Sequence, residues 1–294
     1  MAAPEMSSRR RHSVLFVPAA NPRAIAKAAV LDCDGVILDL EDSVSPEAKV
    51  AARAAAAVAI RGGFGAREVA VRCNSLQTPW GEDDLRALAE AGPDAVLAPK
   101  VRSAADVRAY DAALASAPAR TRLWVMVETA EAILSLLEIA AAKRSTRLEV
   151  LVLGPNDLAA ELRLKSAFTR EALRPVLTQL VAAARAHGLA ALGGAFTALE
   201  DDAAFEAECR EEAGYGFDGK TLVHPSQIEP ANRIFSPSPD ELAWARKVVE
   251  AFAAPDAAGK GVIRLDGQML EHLHLRQAER VLAMVRMDAP AKAG

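Results

Sequence analysis

The segment LDCDGVILDLEDSV, residues 31–44, places five acidic side chains in fourteen positions. Its halves suggest different chemistries. Asp32-Cys33-Asp34-Gly35-Val36 has the look of a phosphatase that uses an aspartate nucleophile. Asp39, Glu41 and Asp42 instead look like acids gathered where a strand ends. Similar polar residues close later apolar runs: Arg72 and Asn74 end "EVAVRCN", Lys100 ends "AVLAPK", Glu128 ends "RLWVMVE", and Gly154-Pro155-Asn156-Asp157 follows "LEVLVL". Glu128 and Asp157 are hard oxygen donors with little His or Cys nearby. That suits Mg²⁺, which keeps several waters and takes its remaining ligands from substrate. Either acid would also serve the start of the helix that follows it. The planar fork of Arg72 suits a carboxylate, either Asp42 or one on a substrate. Lys100 has the position of a Schiff-base nucleophile in an aldolase, but "APK" supplies no base and the surrounding acids favour the ammonium, so a charged-partner role is preferred. Gly154-Pro155-Asn156 ahead of a helix offers backbone N–H groups to a small anion.

These residues need a frame that brings strand ends together. Short β-type runs recur at 13–18, 35–42, 68–74, 95–101, 122–128, 148–154, 189–194 and 219–225, separated by Ala-rich amphipathic stretches such as 82–92 and 169–188. Several runs are apolar throughout, as expected for parallel strands covered on both faces. Eight such alternations, without a GxGxxG or P-loop, predict an α/β fold of the (β/α)8 TIM-barrel type, whose chemistry sits on the loops after the strands. The phosphatase half then loses its case. A helix precedes Asp32 and the strand begins after Gly35, which puts Asp32 and Asp34 at the opposite end of the barrel. Residues 1–11 read as a flexible tail, 12–235 as the catalytic barrel, and 236–294 as a C-terminal helical cap or arm. The cap has helices at 239–254 and 268–286 and a short strand within 259–267.

Bulk properties narrow the function classes. A net charge of −4 argues against nucleic acid, and Arg9-Arg10-Arg11 is too short a basic run to reverse that, so it reads as a solvated tail. No run approaches the roughly 18 apolar residues of a membrane span, and the start lacks a secretory core. Cys33, Cys73 and Cys209 are isolated thiols without CxxC spacing, which points to a cytoplasmic protein without a zinc site. His272 and His274, two apart on an expected helix, make a poor metal pair.

Taken in order, "RRHSVLFVPAANPR", "VILDLEDSV", "VRCN", "APKV", "VETAEA", "LGPNDLAAEL" and "GYGFDGKTLVHPSQIEPAN" resemble the citrate lyase β-subunit family of the HpcH/HpaI aldolases, together with malyl-CoA and citramalyl-CoA lyases. The resemblance covers about residues 10–286. It implies a TIM barrel, usually a homotrimer or hexamer, that cleaves or forms a 3-hydroxyacyl-CoA from an acyl-CoA and a 2-oxo acid with Mg²⁺. By the same resemblance Glu128 and Asp157 hold the metal, Arg72 holds the substrate, and Glu41 and Asp42 orient Arg72 and metal-bound water. The backbone of Gly154, Pro155 and Asn156 binds the 2-oxo acid carboxylate, and Arg23 meets the coenzyme A phosphates. Malyl-CoA lyase-like members carry a C-terminal Met-Ile-Asp whose Asp reaches a neighbour's site as an acid/base. Here Met269-Leu270-Glu271 puts Glu271 in that place. Ala19 and Ala132 stand where the family has glycine, and Ala132 would narrow the pocket. A CoA-independent 2-oxo acid aldolase and a non-autonomous subunit of a larger lyase complex are the alternatives.

Overall fold

The computed structural model describes residues 9–165, 169–254 and 260–288. It divides into two compact units, Arg11–Phe235 and the chain from Ser236, with Arg9 and Arg10 grouped in the second. Most of the expected N-terminal tail, residues 1–8, lies outside the described residues.

In the first unit eight strands form a closed parallel barrel in sequential order: β1 (Ser13–Pro18), β2 (Gly35–Asp39), β3 (Glu68–Arg72), β4 (Ala95–Ala98), β5 (Arg122–Val127), β6 (Leu148–Leu153), β7 (Ala190–Gly193) and β8 (Gly219–Leu222). The (β/α)8 architecture expected of the alternating runs is the one found. The intervening helices are α1 (Pro22–Ala28), α2 (Lys49–Gly62), α3 (Gly81–Ala91), α4 (Ala104–Ala113), α5 (Ala130–Leu134), α6 (Leu136–Ala141), α7 (Pro155–Glu161), α8 (Thr169–His187), α9 (Asp202–Tyr215) and α10 (Ile228–Phe235). Val14 pairs with Thr221 across the closing seam.

Strand residues alternate between two cores, because successive side chains point to opposite faces. Val14, Ile37, Ala70, Leu97, Trp124, Met126, Val150, Val152 and Leu192 fill the barrel interior. Their neighbours, such as Val36, Val71, Val96 and Leu151, pack outward under the helices. This parity decides the site: two residues beyond Ile37, Ala70, Met126 and Val152 stand Asp39, Arg72, Glu128 and Gly154, all turned toward the mouth.

Arg11 corrects the reading of the basic run as a solvated tail. It is only 2% exposed and forks onto Glu68 at 2.6 and 2.7 Å, with Glu149 at 2.6 Å. Its guanidinium lies over the Trp124 ring, 5.3 Å from the centroid. Burial works against the charge, but the two glutamates outweigh it and hold the guanidinium protonated. Asp34, as expected, sits at this same lower end and accepts the backbone N–H of His12 at 2.7 Å. A second buried cluster locks α9 to β8: Lys220, wholly buried, places Nζ 2.7 Å from Glu208 and 2.9 Å from Glu212.

The second unit contains α11 (Pro239–Ala253), an antiparallel hairpin of β9 (Val262–Leu265) and β10 (Gln268–Glu271), and α12 (His272–Asp288). Residues 268–271, expected to open the last helix, are strand instead. Asp266 and Gly267 both have positive φ, 48° and 81°, which makes the tight turn that folds the chain back onto β9. Leu270 then buries against Ala245, Val248 and Ala278. Among the described residues no helix is long and apolar enough to cross a membrane.

Candidate active site

The polar residues that follow β2 to β6 meet at one end of the barrel around a cavity of about 390 Å³. Phe16, Asp39, Asp42, Arg72, Met126, Gly154, Asn156, Asp157, Thr197 and Val223 are among its lining.

Arg72 is the centre of one group. Its Nε and Nη2 donate to the two oxygens of Asp39 at 2.6 and 2.8 Å, a bidentate pair. Asp39 lies beside Arg72 in register across the strand pair. Nη1 donates to Asp42 at 3.1 Å, and Glu41 Oε2 lies 3.1 Å from the same nitrogen without a hydrogen bond. The guanidinium stacks on Phe16, 5.0 Å from the ring centroid. Glu41 and Asp42 therefore do flank Arg72, but its orientation comes from Asp39. The signal that would have found Asp39 is the period-2 run Gly35, Ile37, Asp39, which shares parity with Ala70 and Arg72.

Burial sets the charges. It opposes ionisation of Asp39, but hydrogen bonds and attraction from Arg72 overcome it and hold that carboxyl below the usual range. Glu41 has no such fork, so burial pushes its carboxyl up to about 8, and Arg72 only partly offsets this. Glu41 thus carries a proton at neutral pH. Its loop is pinned from below by Lys49, whose Nζ donates to the carbonyls of Leu40 and Glu41 at 2.8 and 2.6 Å.

The second group is Glu128, Asp157 and Lys100. Glu128 is wholly buried at the end of β5, and burial drives its carboxyl upward against the pull of Lys100. Oε1 accepts the Lys100 backbone N–H at 2.7 Å, while Oε2 is buried with no hydrogen-bond partner. Asp157, half-exposed in the first turn of α7, lies 2.6 Å from Lys100 Nζ. Burial disfavours that ammonium, but the hydrogen bond to Asp157 and the attraction of Glu128 outweigh it and keep it charged. Lys100 is therefore the charged partner that was preferred over a Schiff-base nucleophile. The donor set fits a magnesium ion: an orphaned carboxylate oxygen on Glu128 and a second carboxylate on the adjacent strand end, both hard. Among the described residues no group of three or more His, Cys, Asp or Glu is placed to hold a metal. Water and substrate would have to complete the shell, as Mg²⁺ prefers.

Gly154, Pro155 and Asn156 all line the cavity, but they do not offer three N–H groups. Gly154 N–H is spent on Val127 O at 2.9 Å, and Pro155 has none. Asn156 and Asp157, in the first turn of α7, hold the donors with no carbonyl behind them. Gly154 has another role. A Cβ there would collide with Glu128 Cβ and lie 2.7 Å from Oε2, so glycine is what admits the buried glutamate. Ala132, expected to narrow the pocket, is instead buried in the outer core against the helices. Arg23 is exposed in the first turn of α1, after β1. Glu271, the last residue of β10, is exposed in the second unit, its N–H donating to His274 Nδ1 at 3.0 Å.

Against known proteins, the family described as HpcH/HpaI aldolase/citrate lyase matches residues 12–225. A (3S)-malyl-CoA thioesterase of Cereibacter sphaeroides is 42% identical over 96% of this chain and 96% of its own length. An L-malyl-CoA/beta-methylmalyl-CoA lyase of the same species is 34% identical over 97% of each. Among solved structures, the protein CitE of Mycobacterium tuberculosis, in complex with magnesium, acetoacetate and coenzyme A, superposes with a TM-score of 0.76. It is 34% identical, covering 94% of this chain and 97% of that one.

Proposed function

The chain belongs to the HpcH/HpaI aldolase/citrate lyase family, and from that premise we propose that it is a Mg²⁺-dependent carbon–carbon lyase of a malyl-type 3-hydroxyacyl-CoA, releasing an acyl-CoA and a 2-oxo acid. The carrying observation is the orphaned, buried Oε2 of Glu128, which lies against Gly154, a residue that lines the cavity together with Asp157 and Arg72. When bound at Glu128 and Asp157, Mg²⁺ supplies Lewis-acid stabilisation of the substrate oxygens. The chain's own residues do the rest. Arg72, fixed by Asp39, presents fixed positive charge where oxygen charge develops. Asn156 and Asp157 N–H groups hold the acid's carboxylate. As the bond breaks, the hydroxyl proton leaves for a carboxylate, and Asp42, which lines the cavity, is placed to take it. The bonding electrons pass into the thioester enolate, which is then protonated. Arg23 is the proposed contact for coenzyme A phosphates.

A second reading, hydrolysis of the same thioester, is favoured by the 42% identity to a protein named as a malyl-CoA thioesterase. One assay separates the two. Given malyl-CoA and Mg²⁺, the lyase yields glyoxylate and acetyl-CoA in equal amounts and no free thiol; hydrolysis yields free coenzyme A and no glyoxylate. EDTA and Glu128→Gln are expected to abolish whichever product forms. Failure of folded, Mg²⁺-supplied protein to turn over malyl-, citramalyl- or citryl-CoA would sink both readings.

The second unit is the proposed contact surface of a trimer or hexamer, in which Glu271 serves a neighbour's site as the acid that protonates the enolate. Its exposed Val262, Met269 and Leu273 support an apolar contact. Analytical ultracentrifugation is expected to show a trimer or hexamer. An active monomer would remove the role of Glu271 in a neighbour.

A further inference from the structure

Lys100 already holds both carboxylates assigned to the metal. Its Nζ lies 2.6 Å from Asp157 Oδ1 and 3.5 Å from Glu128 Oε1, and its backbone N–H donates to that same Oε1. The backbone is left-handed here, with φ 53°, a conformation non-glycine residues adopt only at a cost. What the cost secures is a residue whose N–H and ammonium both face the acids. An ammonium in that position does a cation's work, keeping the like charges of Asp157 and the buried Glu128 together. A divalent ion drawn to the same carboxylates meets that charge. It must push the ammonium off Asp157 or bind beside it against repulsion. The side chain is 28% exposed on a flexible four-carbon stem, so it has room to leave.

We propose that Lys100 is a built-in competitor for the metal at Glu128 and Asp157, which holds the Mg²⁺ affinity of the protein by itself low. The proposal rests on the metal reading given above, and the experiment separates the two. Mg²⁺ alone is titrated calorimetrically into the full chain as wild type, Lys100→Met, Lys100→Arg and Glu128→Gln. Lys100→Met is expected to bind Mg²⁺ about tenfold more tightly, since the lost ion pair no longer opposes the metal. Lys100→Arg, which keeps the charge, is expected to stay within about threefold of wild type. Glu128→Gln is expected to lose binding. Thermal unfolding gives a second readout. Without metal, Lys100→Met should melt below wild type because Glu128 loses its counter-charge, and Mg²⁺ should raise its Tm by more. If Lys100→Met does not fold without metal, Lys100→Gln is titrated under the same expectations. Unchanged or weaker Mg²⁺ binding by the folded variant, with wild-type binding still lost in Glu128→Gln, overturns the competitor role and leaves the metal site standing. Absence of wild-type binding, or binding that Glu128→Gln retains, overturns both.

Discussion

Arg72→Met is expected to lower kcat/KM by about a thousandfold, the scale on which a preorganised donor to developing oxygen charge acts. It should also cost about 3–5 kcal/mol of stability, because one partner of a buried pair is removed. Both losses have one origin. Asp39 is 2% exposed and depends on the guanidinium for its charge. Glu41 would lose the attraction that offsets part of its burial, and Phe16 its stacking partner. Arg72→Lys separates the two effects. A lysine restores a positive charge but not the fork that spans both oxygens of Asp39, so stability should largely return while turnover stays about a hundredfold down. Urea unfolding and steady-state kinetics on the two variants check this. Wild-type turnover in Arg72→Lys would mean that charge alone, without fixed geometry, suffices at this position.

Gly154→Ala is the smallest change with a comparably large effect. Its φ of −109° suits any residue, so backbone strain is not the issue. The added methyl meets Glu128 Cβ, which the strand holds in place, as well as Oε2 at 2.7 Å and Met126 Cε at 3.2 Å. Glu128 must rotate or β6 must shift, and either moves an oxygen that the metal needs. Mg²⁺ affinity should fall about a hundredfold, at the upper end of what displacing a ligand's support costs, with a stability loss of about 1–3 kcal/mol from overpacking. Calorimetry with Mg²⁺ and a melting curve read the two effects separately. Unaltered metal affinity would show that Glu128 is not a ligand.

Much of this was legible in the sequence because parallel barrel strands announce themselves as apolar runs, and the residue that ends each run faces the mouth. Arg72 and Glu128 follow that rule, and Lys100 and Asp157 come within four residues of the strand before them. What escaped depends on distance in the chain or on backbone direction. The Asp39 fork is set by register between β2 and β3: the period-2 run turns Asp39 inward, but only the strand pairing puts it beside Arg72. Arg11 looked like tail because its partners, Glu68 and Glu149, are 57 and 138 residues away. The Gly154 N–H looked available because its bond to Val127 is made only when β5 and β6 lie side by side. The hairpin at 262–271 escaped because Gln268-Met269-Leu270-Glu271 has no strong strand composition, and the turn at Asp266-Gly267 is what decides it.

The closing seam also sets an order in time. β1 is the first of the eight strands to be synthesised, yet its second neighbour, β8, ends only at Leu222. Until then β1 has one paired edge and one bare one, and the lower plug around Arg11 has its partners only from Glu149 onward. Every side chain of the metal and guanidinium groups is synthesised before the cylinder that aims them can close. A nascent chain halted between Asp157 and Gly219 would therefore carry the side chains of both groups without the closed barrel that aims them at one cavity.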